Sequence, residues 1–162
     1  MTTSTGYSAP RGLRITLLTV TGFNLASAIA GGIALAAGWM AAAGLPTTLL
    51  EGSLFTSYLW PGIILGVVVG GTQLAALIAY VVRLEVAWGL FAVAGFGLMI
   101  WIFIETGIIR GQSALQIGYF GTGLLQCVLV LLVLGVWPRP FLGRSVSEPP
   151  SSHPRHASSP LR

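Results

Sequence analysis

The sequence predicts an all-α protein, a transmembrane four-helix bundle with both termini in the cytoplasm. Three observations carry that expectation. Only 7% of the 162 residues are charged and the mean hydropathy is +0.86, whereas soluble domains carry about 25% charged residues. Charges divide the chain into four long uncharged stretches: 15–50, 52–82, 86–104 and 111–138. The arginines fall almost entirely on one side of the membrane once those stretches are threaded through it.

Each stretch supplies most or all of the ~20 apolar residues that a helix needs to cross ~30 Å of hydrocarbon. The runs are continuously apolar. Barrel strands would alternate over ~10 residues, so helices are expected. The first helix is placed near 14–38, after a cytoplasmic segment 1–13. Arg11 and Arg14 before an apolar run, with Ala41-Ala42-Ala43 after it, mimic a secretory signal. The run is longer than the ~7–15 residues of a signal core, so an uncleaved helix is expected.

An outer loop over 39–58 follows. From Gly44 to Phe55 its apolar residues fall at helical spacing, which predicts a short helix on the membrane surface. The second helix is placed at 59–82, with Pro61 in its first turn, where a missing N–H costs little. From Tyr58 to Ile109 the chain is nearly all apolar. As one helix it would run about 78 Å, more than twice the hydrocarbon core. It must therefore fold back, and Arg83 and Glu85 mark the turn. The third helix is placed at 86–107, antiparallel to the second, and the fourth at 115–137. The Ser/Pro-rich tail 138–162 has the composition of a disordered segment.

Orientation follows from arginine placement. With the N-terminus inside, Arg11, Arg14, Arg83, Arg139, Arg144, Arg155 and Arg162 are cytoplasmic and Arg110 alone is outside. The arginines therefore read as topology signals, not as a nucleic-acid surface. Trp39 and Trp60 fall at the outer interface, Trp88 and Trp137 at the inner one, and Trp101 somewhat below the outer one.

Catalysis is not expected. His153 and His156 lie in the tail, so the membrane helices offer no haem ligand pair. There is no Lys and no Asp, and no cluster of His, Cys or paired carboxylates to hold a metal. Phosphate- and dinucleotide-binding fingerprints are missing as well. Cys127, the single cysteine, lies in an apolar run and reads as a small hydrophobe. No catalytic residue, cofactor or metal is assigned.

Three features remain as candidate sites. Glu105 is an ionisable residue near the membrane. It is a possible coupling carboxylate, but it lies 20 residues after Glu85, about 30 Å along a helix. That places it at the outer interface, within reach of Arg110, Gln112 or Gln116. The second is a mid-depth polar set, Asn24, Thr72, Gln73 and Gln126, which must face the bundle interior to find partners. It reads as a ligand site or as glue between helices. The third is a small-residue stripe: Gly66-x-x-x-Gly70 backed by Gly71, with Ser27-x-x-x-Gly31 and Ala28-x-x-x-Gly32. Such stripes let helix backbones approach, within a bundle or in a dimer.

The segment Gly44-Leu45-Pro46 … Leu50-Glu51-Gly52-Ser53-Leu54-Phe55 … Tyr58-Leu59-Trp60-Pro61-Gly62-Ile63-Ile64-Leu65, followed by Gly70-Gly71, resembles an uncharacterised family of small four-helix bacterial membrane proteins. Trp101-Ile102 … Glu105 and Leu115-Gln116 … Tyr119 resemble its third and fourth helices. Ser53-Leu54 stands where that pattern often has Thr-Pro. The resemblance spans roughly residues 14–137. It implies the fold and a bacterial plasma-membrane location, and it supplies no function.

The leading functional expectation is a non-enzymatic accessory or interaction subunit. It would work in the lipid bilayer with another membrane protein or a second copy of itself. The rivals are a small transporter or channel using Glu105 with Gln73 or Asn24, and a lipid- or quinone-binding protein.

Overall fold

A computed structural model describes residues 10–42, 44, 47–52, 54–109 and 113–136. Four helices are long and apolar enough to cross a membrane, and no strand occurs among the described residues. They are α1 (Arg11–Ala36), α2 (Leu59–Val81), α3 (Ala87–Ile109) and α4 (Ala114–Val133). Each packs against its sequence neighbours, and α4 closes against α1, so the four form an up-and-down ring. The chain is a multi-pass membrane protein with the predicted four-helix architecture.

The helix ends follow from local chemistry. Pro10 precedes α1, where its missing N–H costs nothing. Ser113 and Gln116 form a capping box at the start of α4: the Gln116 N–H donates to Ser113 Oγ, and the Ser113 N–H to Gln116 Oε1. α1 and α4 end at Gly38 (φ 75°) and Gly135 (φ 68°), both left-handed. The Gly135 N–H reaches the Leu132 carbonyl and the Val136 N–H the Leu131 carbonyl, capping the last turn of α4. The sequence placed the end of α4 at 137, but the Gly135 cap stops it at Val133. Trp137 lies outside the described residues, as does the tail 138–162.

The predicted reversal between α2 and α3 is present and tight. α2 ends with the same double cap as α4, Arg83 N–H to the Tyr80 carbonyl and Leu84 N–H to the Ala79 carbonyl. Here the left-handed position is taken by an arginine, Arg83 at φ 61°. Within α2, residues Ile64–Val69 widen into a π-helical turn.

Among its described residues the outer loop does not form one surface helix. It breaks into a helical turn, Trp39–Ala42, and a 3₁₀ turn, Thr47–Leu50. Gly44 (φ 90°) and Gly52 (φ 81°) take backbone angles that no helix contains. Leu50 packs inward and is buried, with its turn resting on α3.

The surface is apolar where that of a soluble protein would be polar. Phe23, Val67, Val68, Phe96, Phe103 and Leu115 are all exposed, as residues facing acyl chains should be. The interior holds two apolar clusters. At the end where α2 turns into α3 are Leu17, Ala76, Ala79, Ala87, Phe91, Leu129, Val130 and Val133. At the other end are Ala28, Val69, Leu98, Trp101 and Ile102. Trp101 is therefore a core residue and not an interfacial anchor. Trp88 packs edge-on to Tyr80, 5.7 Å between ring centroids, while Trp39 and Trp60 are exposed near helix ends. In chain order a polar layer separates the two clusters.

Candidate functional site

That layer is built by Asn24 of α1, Gln73 of α2 and Gln126 of α4, at 1%, 0% and 0% exposure. An unpaired amide in such a place would be costly, so each must find partners. Asn24 Nδ2 donates to Gln126 Oε1 at 2.9 Å. Gln126 Nε2 donates to Gln73 Oε1 and to the Phe91 carbonyl oxygen, both at 3.0 Å. Gln73 Nε2 donates to the Ala94 carbonyl oxygen at 3.2 Å. Three side chains and two α3 carbonyls thus join all four helices in one relay.

The direction of the relay is fixed by α3. Main-chain carbonyls only accept, so both glutamines must turn their NH₂ groups toward α3. Gln126 Oε1 then faces Asn24, which must donate. Reversing any one amide would set oxygen against oxygen or NH₂ against NH₂.

Two glycine seams bring the helices close enough for these bonds. Between α3 and α4, a β-carbon on Gly95 would lie 2.8 Å from Cys127 Sγ and 3.0 Å from the Gly123 carbonyl oxygen. One on Gly123 would lie 2.9 Å from the Met99 side chain and 3.0 Å from the Gly95 carbonyl oxygen. The close approach lets Gln126 reach the α3 backbone. Between α1 and α2, a β-carbon on Gly32 would lie 2.7 Å from the Gly66 backbone, and one on Gly62 would lie 2.7 Å from the Ala36 nitrogen.

The small-residue stripe therefore has a location within the bundle. Gly66 faces Gly32, Gly70 faces Ala28 and Ile29, and Gly31 meets the Leu65 side chain. Gly71 is different: nothing lies within 4 Å of its β-carbon position. Cys127 is buried against Gly95, as a small hydrophobe would be.

Two sequence candidates stand apart from the relay. Thr72 is adjacent to Gln73 but donates to its own helix, to the Val69 carbonyl at 2.8 Å. Glu105 is eleven residues beyond Ala94 on α3, about 16 Å along the axis, so it does not meet Asn24, Gln73 or Gln126. It interacts with the Trp101 indole one turn earlier. The contact falls short of hydrogen-bond geometry, because Trp101 Nε1 has no partner at bonding distance and angle. Gln116 is occupied by the capping box, and Arg110 and Gln112 lie outside the described residues.

The Phe91 and Ala94 carbonyls, Gly62, Gly95 and Gly123 had no place among the sequence candidates. Gly62 and its two successors at spacing four were a visible signal. Main-chain acceptors carry no signal in residue identity, and Gly95 and Gly123 were hidden among 22 glycines.

Chemically, the layer consists of carboxamides and carbonyls. None of these titrates at accessible pH, so the relay can bind and orient but cannot move protons between its own groups. Among the described residues no group of three His, Cys, Asp or Glu is placed to hold a metal. No family of known proteins, no curated protein and no solved structure matches the chain.

Proposed function

We propose that the chain is a non-enzymatic accessory or interaction subunit of a bacterial plasma membrane, with both termini cytoplasmic. The observation that supports this reading is that the polar interior is spent on holding the helices together. Asn24, Gln73 and Gln126 bond to one another and to α3, and Gly32 of α1 faces Gly62 and Gly66 of α2 across the α1–α2 seam. A carrier needs polar groups released to a substrate in at least one state. The carboxylate that would couple such a carrier, Glu105, is about 16 Å along α3 from the relay. What remains for recognition is the apolar outer surface and the loop between α1 and α2.

Native mass spectrometry of the protein extracted with its surrounding membrane patch tests this. A second membrane protein at fixed stoichiometry is the expected result. One small molecule retained per chain, with no protein partner, would overturn the reading in favour of a binder or carrier.

A further inference from the structure

The relay runs in one direction, and that leaves a remainder. Because Asn24 must donate to Gln126, its own Oδ1 is turned away from the amide chain. Oδ1 is buried and has no protein partner, although Asn24 is only 1% exposed. Rotating the Asn24 amide does not cure this, since it would set Oδ1 against Gln126 Oε1. A buried acceptor at this depth calls for a donor.

A second acceptor lies on the same face. Thr21 precedes Asn24 by three residues, so the two side chains are neighbours on α1, with β-carbons about 5–6 Å apart. Thr21 is 0% exposed. Its hydroxyl hydrogen is committed to the Leu17 carbonyl at 2.8 Å, which leaves Oγ1 able only to accept. One turn later, Ser27 also turns its hydroxyl to its own helix, toward the Phe23 and Asn24 carbonyls. No hydroxyl on this face of α1 is left to donate to Asn24.

We infer that Asn24 Oδ1 and Thr21 Oγ1 form a binding site for one internal water molecule. A water carries two donors, and two bonds of ~2.8 Å at the water's own angle reach acceptors roughly 4–5 Å apart, a separation that side chains three residues apart on one helix face can present. Lipid-borne molecules fit less well, because both residues are closed to the outside. Water bridging two acceptors is a common way to satisfy buried polar groups. The site extends the polar layer and explains why Thr21, which makes no interhelical bond of its own, is fully buried beside it.

The test is NMR of isotope-labelled, full-length protein in lipid nanodiscs. It looks for a direct cross-peak between a long-lived water and the Asn24 side-chain amide protons. The cross-peak is expected in the native protein and in Thr21→Ser, which keeps the hydroxyl. It is expected to be lost in Thr21→Val, while the Asn24 amide shift that reports its bond to Gln126 persists. No cross-peak in the native protein, or one unchanged in Thr21→Val, would overturn the site. So would an organic molecule retained one per chain and showing cross-peaks to the same amide.

Discussion

Gly32 and Gly66 meet so closely that a β-carbon on Gly32 would lie 2.7 Å from the Gly66 α-carbon. No side chain can be accommodated there without moving α1 away from α2. Gly32→Ala should therefore destabilise the bundle by about 1–3 kcal/mol, the usual cost of overpacking. Gly71→Ala, at an open position of the same stripe, should be neutral or slightly stabilising, since alanine is the better helix former. Thermal unfolding in detergent or nanodiscs would separate the two.

Gln126 makes three of the four bonds within the relay. Interhelical hydrogen bonds in membranes are worth about 0.6–1.7 kcal/mol each. Gln126→Leu should then cost roughly 2–5 kcal/mol by that figure. Thr72→Val, which removes only a bond within α2, should cost less than about 0.5 kcal/mol. Equal effects in a reversible unfolding assay would mean that the relay adds nothing beyond ordinary packing.

Arg83 holds a left-handed backbone angle (φ 61°) at a cap where α1 and α4 use glycine. For an L side chain that conformation costs about 1–2 kcal/mol. Arg83→Gly should stabilise the α2–α3 turn by about 1 kcal/mol, less the entropy that glycine loses on folding. The strained residue is explained if its charge serves the positive-inside signal. Removing it leaves six arginines on the proposed cytoplasmic side against one, so orientation should survive. A periplasm-active reporter fused after Arg162 should be silent in both forms, and an active one would overturn the proposed orientation.

Glu105 lies outside the relay, and its contact is with Trp101. Glu105→Gln should leave unfolding within about 0.5 kcal/mol of the parent and leave partner capture unchanged. A pH-dependent phenotype abolished by that substitution would revive the transport reading.

The fold was legible because charge is so scarce. Arg83 and Glu85 had to mark a turn, since they are the only charges near the middle of the 52 residues from Tyr58 to Ile109, which are otherwise almost wholly apolar. Asn24, Gln73 and Gln126 were legible as a group because isolated amides in lipid must find one another. Thr72 misled for a physical reason: a threonine hydroxyl can satisfy itself on its own helix, whereas a glutamine amide reaches further. The outer loop misled because helical spacing of apolar residues says nothing about the angles that Gly44 and Gly52 adopt. Rotational phase was the least readable quantity. When every face of a helix is apolar, the sequence does not show which glycines face a neighbour, so Gly95 and Gly123 were not separable from Gly71.

The central claim is that the polar layer is cohesive and not a conduit. A double-mutant cycle on Gln73→Leu and Gln126→Leu, read by reversible unfolding, tests it most directly. The account predicts a coupling of about 0.6–1.7 kcal/mol, the double variant being less destabilised than the sum of the singles. Additive effects within about 0.3 kcal/mol would contradict it.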